Sequence, residues 1–163
     1  KGNLEETKTF YANYPDIDIS ARNEYAFRCV CANGYLAIAK WLLEIKPDIN
    51  ISANDDYAFR LACCNDHLEV AKWLLGIKLD INISAVNEGA FRYTCYSGHL
   101  KIAKWLLEIK PDINISIENE WAFEYSRLII KKWLTHYIPY YNVVDYFRTI
   151  KNISNCSSLF DLI

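Results

Sequence analysis

Histidines are the side chains in this sequence best suited to acid–base chemistry, and their spacing favours structural roles. The interval from His67 to His99 is the same as that from Tyr35 to His67, and His136 is the third histidine. A general base must titrate near neutral pH, which a tyrosine at the matching place does not do. The repeated histidine position is therefore predicted to be structural.

The six cysteines follow the same interval only in part. Cys31, Cys63 and Cys95 recur at it, and the other three share no pattern. Such a recurrent cysteine usually occupies a small packed position, with metal or disulfide use as the alternative. The sequence has no phosphate-binding glycine loop with lysine, no paired-cysteine motif and no histidine with a nucleophile partner. We predict a protein that is not an enzyme and has no cofactor or metal.

Charge and hydropathy restrict the possible partners. The 163 residues include 18 basic and 20 acidic side chains, so a net charge of −2 creates no overall attraction to nucleic acid or anionic lipid. No apolar stretch approaches the roughly 20 residues of a membrane span, and the first residues lack the apolar part of a secretory signal. We expect an intracellular, cytoplasmic monomer that binds neither nucleic acid nor membrane.

A 32-residue repeat organises these residues. The repeated features are an Ala-Phe pair, a tryptophan, a Leu-Leu pair and an Asp-Ile pair. They begin at Ala26, Ala58, Ala90 and Ala122, at Trp41, Trp73 and Trp105, at Leu42, Leu74 and Leu106, and at Asp16, Asp48, Asp80 and Asp112. The register reaches the N-terminus, where Gly2 matches Gly34. The sequence thus opens in the middle of a unit, and we expect a fragment of a longer array.

Each unit predicts two short helices and a loop. Residues 57–64 contain no helix breaker, and residues 68–75 have leucine and alanine at helical spacing. Asp66 with Glu69 resembles a capping box, and residues 45–52 alternate isoleucine with polar residues after a proline. Two such helices bury too little apolar surface to fold alone. We predict an all-α solenoid of stacked helix-turn-helix hairpins with short extended loops.

The unit resembles the ankyrin repeat. Tyr-Ala-Phe-Arg-Leu-Ala-Cys at 57–63 is similar to that family's Thr-Pro-Leu-His-x-Ala-Ala. Asp-His-Leu-Glu-Val-Ala-Lys-Trp-Leu-Leu at 66–75 is similar to its Gly-His-Leu-Glu-Val-Val-x-x-Leu-Leu. The unit is one residue shorter than the family's, and Ala-Phe-Arg and Lys-Pro replace Pro-Leu-His and Gly-Ala, which leaves the loop conformation open. A tetratricopeptide array is the structural alternative.

A further likeness concerns the source of the sequence. The Lys-Pro-Asp-Ile-Asn-Ile-Ser stretch at 46–52 is similar to the ankyrin arrays of large DNA viruses of amoebae. That resemblance implies a viral protein acting inside a host cell.

Positions that differ between units are predicted to meet a partner, because identical positions serve the packing that every unit shares. On the ankyrin pattern the loop tip and the exposed side of the first helix face the concave side. Each tip ends in an acid, namely Glu24, Asp56, Glu88 and Glu120. Stacking would place these acids in a row with steps of roughly 10 Å, suited to a basic segment. Stabilisation of the helix dipole is the alternative role for them.

Aromatic residues mark the predicted binding centre. Tyr93 and Tyr96 lie three residues apart on one helical face, and tyrosine is enriched in protein-binding surfaces. We predict that Tyr57, Tyr93, Tyr96, Trp121 and Tyr125 contact the partner. The predicted function is a scaffold for protein–protein interaction.

The repeat changes towards the C-terminus. The interval from Ala122 to Trp133 is shorter than that from Ala90 to Trp105, which predicts that the two helices run together and end the stack with a polar face. We divide the chain into an array, 1–137, and a capping helix with tail, 138–163. Residues 138–147 bear a likeness to F-box-like ends of viral ankyrin proteins, which implies an alternative function as a ubiquitin-ligase substrate adaptor. A virion component or a spacer without a specific partner is the third possibility.

Overall fold

Eight helices form the part of the chain that the computed structural model describes, residues 2–115 and 126–137. They are α1 (Leu4–Asn13), α2 (Ala21–Ala32), α3 (Leu36–Ile45), α4 (Ala53–Cys64), α5 (Leu68–Ile77), α6 (Ala85–Ser97), α7 (Leu100–Ile109) and α8 (Leu128–Tyr137). Within these two ranges all regular structure is helical, which confirms the predicted fold class. None of the described helices is long and apolar enough to cross a membrane.

The helices form hairpins, α2 with α3, α4 with α5 and α6 with α7, each closed by a left-handed turn residue. These residues are Gly34, Asp66 and Gly98, with φ of 74°, 65° and 85°. The next N–H in the chain donates to the carbonyl five residues back, as from His67 to Ala62 at 2.8 Å. Such a bond closes a Schellman motif, in which glycine is favoured because it adopts positive φ without strain.

The predicted capping box at Asp66 and Glu69 does not form. Helix α5 begins after His67, and no backbone N–H of its first turn donates to the side chain of that N-cap residue. Asp66 lies one residue earlier and takes the left-handed turn position instead. The pattern predicted the start of the helix but not the role of the aspartate.

The hairpins stack into one continuous core. Helix α2 packs on α4 and α4 on α6, and each first helix also packs on its own second helix. Phe27, Phe59 and Phe91 are buried in a single apolar cluster. Phe27 lies 6.3 Å from the ring of Trp73, one unit further on, and Trp73 remains only partly buried. Each tryptophan of this kind therefore joins neighbouring units.

The loops between hairpins consist of turns and not of the extended segments that the alternating isoleucines predicted. The alternation still separates inside from outside: Ile49, Ile81 and Ile113 are buried, and the polar residues beside them are exposed. In the loop before α4, the Ser52 N–H donates to Asn50 Oδ1 at 3.1 Å. The asparagine side chain thus replaces a strand partner and turns the chain towards the next helix.

The described C-terminal part differs from prediction in two ways. Ser126 and Arg127 are not helical and α8 begins at Leu128, so α8 does not continue from a preceding helix. Its outer face is not fully polar, since Leu128 and Ile129 have exposed fractions of 68% and 56%. The first helix of this last unit and the capping segment 138–163 fall outside the described residues.

Candidate protein-binding surface

One face of each first helix carries the side chains that change from unit to unit. We call this face the variable stripe. It consists of Arg22, Tyr25, Cys29 and Ala32 on α2, of Asn54, Tyr57, Leu61 and Cys64 on α4, and of Val86, Gly89, Tyr93 and Tyr96 on α6. All but Gly89 are at least partly exposed. The last three members of each set are spaced by three or four residues and lie on one side of the helix, and the first member, Arg22, Asn54 or Val86, lies in the turn at its start.

The stripe is most apolar on α6. Val86, Tyr93 and Tyr96 there have exposed fractions of 44%, 39% and 54%. The corresponding residues are Arg22, Cys29 and Ala32 on α2, so the surface gains size and loses charge along the array. Large exposed apolar side chains grouped on one face are typical of interaction sites. Tyr93 and Tyr96 are thus both exposed on α6, Val86 is exposed in the turn at its start, and the contact of the two tyrosines with a partner stays a prediction.

The predicted acidic row is not exposed. Glu24, Asp56 and Glu88 have exposed fractions of only 8%, 5% and 7%. Three consecutive residues that end at each acid have positive φ, for example Asn54, Asp55 and Asp56 at 56° each, and form one left-handed turn before the right-handed helix. That turn directs the carboxylate into the loop and not to the surface.

Each of these carboxylates holds the next unit in place. Asp56 Oδ2 accepts the backbone N–H of Asn82 at 3.0 Å, and its Oδ1 accepts the hydroxyl of Ser52. Glu24 accepts the Asn50 N–H in the same way at 3.3 Å. Burial of a carboxylate is costly unless such hydrogen bonds replace water. The acids therefore serve the fold, and an exposed acidic row does not exist among the described units.

A recurrent arginine supports the left-handed turn. Arg60 donates from Nε to the Asp55 carbonyl and from Nη2 to the Asn54 carbonyl, both at 2.9 Å. Arg28 makes the equivalent bonds to Asn23 and Arg22 at 2.7 Å and 2.9 Å. Left-handed backbone costs an L-residue about 1–2 kcal/mol, so these bonds offset strain. The replacement of the family's Pro-Leu-His by Ala-Phe-Arg therefore introduces the arginine that stabilises this left-handed turn.

Tyrosine rings alternate with these arginines. The Arg28 guanidinium lies 5.7 Å from the Tyr25 ring centroid and 5.2 Å from that of Tyr57. The Arg60 guanidinium lies 5.0 Å from the same Tyr57 centroid. Cation–π contacts occupy the Tyr57 ring, so this predicted site residue is partly used inside the chain. Tyr25, which was not among the predicted site residues, is more exposed than Tyr57.

Three predicted site residues cannot be placed on this surface. Glu120, Trp121 and Tyr125 fall outside the described residues. The arginines could have been found from the sequence, since arginine follows three of the four Ala-Phe pairs, and a charged residue repeated beside core positions indicates an internal hydrogen-bonding role. Val86 and Tyr25 carried only the signal that their positions vary between units.

Buried thiols are held in their protonated form. Burial raises the pKa of Cys31 to about 12, and burial also raises the pKa values of Cys63 and Cys95. A thiol that stays protonated at neutral pH is a poor nucleophile and a poor metal ligand. In the ranges that the structure describes, no three His, Cys, Asp or Glu side chains come together to hold a metal ion.

Comparison with known proteins identifies the repeat. The family model described as ankyrin repeats (3 copies) matches residues 1–87 and 26–119, well over half of the chain. Searches of the curated proteins and of the solved structures found no match. The matched residues contain α1 and the stacked hairpins formed by α2 to α7, and the chain therefore belongs to the ankyrin-repeat family.

Proposed function

We propose that this chain is a protein-interaction scaffold that binds its partner through the variable stripe, with the centre of the interface on α6. Ankyrin repeats generally mediate protein–protein interaction, and the family is typically non-enzymatic. One observation carries the proposal: the exposed apolar residues Val86, Tyr93 and Tyr96 lie at positions that vary between units. Rigid aromatic side chains of this kind supply much of the binding energy in protein interfaces.

The repeat itself supplies matched substitutions for a test. Tyr93→Leu and Tyr96→Ala introduce residues that α4 and α2 carry at the equivalent places, Leu61 and Ala32. The fold already accepts these residues there, so circular dichroism and thermal unfolding of the double variant should match the unaltered chain. Proteins that co-purify with the unaltered chain and are lost from the double variant would support the proposal. An unchanged set of bound proteins would contradict it.

The prediction of a basic partner segment relied on an exposed row of acids, and Glu24, Asp56 and Glu88 are buried. We therefore do not propose a basic partner. The recognition role of Glu120, Trp121 and Tyr125 stays part of the proposal. An intracellular site of action, in a host cell if the likeness to viral arrays holds, and a monomeric state also stay proposals. Size-exclusion chromatography with light scattering tests the last of these.

A ubiquitin-ligase adaptor is the second proposed function, and its support is the sequence likeness of residues 138–147 to F-box-like ends. Deletion of residues 138–163 separates the two functions. Ligase subunits that are lost from the purified complex after the deletion, while the proteins lost with Tyr93→Leu and Tyr96→Ala stay bound, would support the adaptor. A complex without ligase subunits before the deletion would exclude it.

A further inference from the structure

The one charged residue of the variable stripe is Arg22 on α2, and Arg28 lies beside the stripe on the same helix. Arg22 is exposed and Arg28 is partly exposed, whereas the acid of the same turn, Glu24, is buried. Neither arginine forms an ion pair with a carboxylate in the part of the chain that the structure describes. An exposed guanidinium without an internal acidic partner is available for a carboxylate from another molecule.

The surroundings of Arg28 fix its position. Tyr25 and Tyr57 both lie against it, and the Nε and Nη2 atoms are held by the carbonyls of Asn23 and Arg22. The Nη1 group makes no hydrogen bond to any described residue, and as a double donor it suits a carboxylate. A guanidinium fixed in this way loses little conformational entropy on binding.

The phenol of Tyr25 lies in the field of both arginines. A hydrogen bond with the Cys29 side chain raises the pKa of Tyr25, and the positive charges of Arg22 and Arg28 act against that rise. The Arg28 guanidinium also lies against the exposed ring of Tyr25, 5.7 Å from its centroid. Two cations and a phenol at one end of the stripe form a site for a negatively charged group.

The apolar end of the stripe lies two helices away. Packed helices are about 8–10 Å apart, so the step from α2 across α4 to α6 is roughly 20 Å. An extended segment advances about 3.3 Å per residue and crosses that distance in about six residues. A single short segment can therefore reach both ends.

We infer that the partner presents an extended segment with a carboxylate side chain at Arg22 and Arg28 and apolar or aromatic side chains, about six residues away, at Val86, Tyr93 and Tyr96. The inference rests on the proposed function and specifies its partner as acidic and apolar.

Hydrogen bonds to the left-handed turn explain why Arg28 is present, but they do not explain Arg22 or Tyr25. Arg28 is needed for the turn, as Arg60 is in the next unit. Arg22 receives no such explanation, because its side chain makes no hydrogen bond to a described residue and α4 carries Asn54 at the same place. Tyr25 is likewise not a repeated residue, since α6 has Gly89 at the equivalent position.

A peptide-display selection on the unaltered chain tests the inference without a known partner. Random peptides of about twice the required span, roughly twelve residues, would be selected, sequenced and measured individually by fluorescence anisotropy. We expect the selected peptides to combine Asp or Glu with an aromatic or aliphatic residue about six positions away. Their affinity should fall as salt concentration rises, because the charge contact is exposed.

Arg22→Asn is the decisive variant, since it introduces the residue of α4 at a position where asparagine also tolerates positive φ. It should weaken the selected acidic peptides roughly fivefold, the effect of a good exposed charge pair, and reduce their salt dependence. Lys40→Asn on α3 makes the same change in net charge away from the stripe and should leave affinity unchanged.

Failure of the inference and failure of the proposed function give different results. Peptides that lose affinity with Tyr93→Leu and Tyr96→Ala but lack acidic residues, or are indifferent to Arg22→Asn, overturn the inferred partner class alone. Enrichment of basic peptides overturns it as well. A selection without any binder that depends on Tyr93 and Tyr96 overturns the proposed function together with the inference.

Discussion

The two sides of each first helix use similar residue types for opposite purposes. On α6, Phe91 and Glu88 face inwards, where the ring packs in the core and the carboxylate accepts the N–H of Asn114 at 3.4 Å. On the other side of the helix, Tyr93 and Tyr96 face solvent. The repeated positions are thus buried in internal contacts, and the varying positions remain exposed to solvent. A charged side chain such as Glu88 therefore serves the fold, and the positions that vary between units are better candidates for binding.

The largest expected contrast between the two sides concerns aromatic residues. Phe59→Ala should lower the free energy of unfolding by about 3–5 kcal/mol, because the ring is buried and lies against Trp105 of the next unit. Tyr96→Ala should change it by no more than about 0.5 kcal/mol. Urea unfolding followed by circular dichroism measures both. Equal losses would show that the exposed side is also part of the core.

Neighbouring aspartates allow a sharper comparison. Asp56→Asn should cost about 1–3 kcal/mol, because its amide group would face one of the donors, Ser52 Oγ or the Asn82 N–H, that the carboxylate accepts. Asp55→Asn is the control, since Asp55 is exposed in the same turn and the change should lie within about 0.5 kcal/mol. Similar midpoints of urea unfolding for the two variants would contradict the internal role of Asp56.

Two glycines allow the same comparison between a position in contact with the next unit and an open position. Gly34→Ala should destabilise by more than about 1 kcal/mol, since φ is positive and the new methyl group would meet the His67 ring. Gly76→Ala should stabilise by roughly 0.5 kcal/mol, because Gly76 is helical and faces open space. Thermal unfolding should shift in opposite directions. Shifts of the same sign would contradict the close contact between units at Gly34.

The smallest effect is expected at a surface ion pair. The hydrogen bond from Lys78, 2.7 Å away, lowers the pKa of Asp80 below its usual value. A lowered pKa in the folded state stabilises the protein above the usual aspartate pKa, and that contribution is lost as pH falls through the lowered value. Lys78→Ala should return the Asp80 pKa towards normal, as measured by NMR titration, with little change in unfolding at neutral pH. An unaltered Asp80 pKa would show that the pair is not formed in solution.

Much of the fold followed from periodicity. The 32-residue interval, the helical spacing around Leu74 and the Ala-Phe pairs predicted stacked hairpins, because each unit faces the same packing demand and repeats the same solution. The shared face of Tyr93 and Tyr96 was also predictable, since their spacing alone places them on one side of a helix. Val86 and Tyr25 were missed because nothing in their local sequence distinguishes an exposed residue from a buried one at a varying position.

The sequence by itself determined the length of the unit, the order of its helices and the identity of the side chains that every unit buries. These follow from local spacing and from the need of short helices to share a core. Only the tertiary structure decided that Glu24, Asp56 and Glu88 turn inwards and that Arg28 remains at the surface. The direction of the acids depends on hydrogen bonds from backbone N–H groups 26 residues further along the chain, and no local pattern encodes those partners.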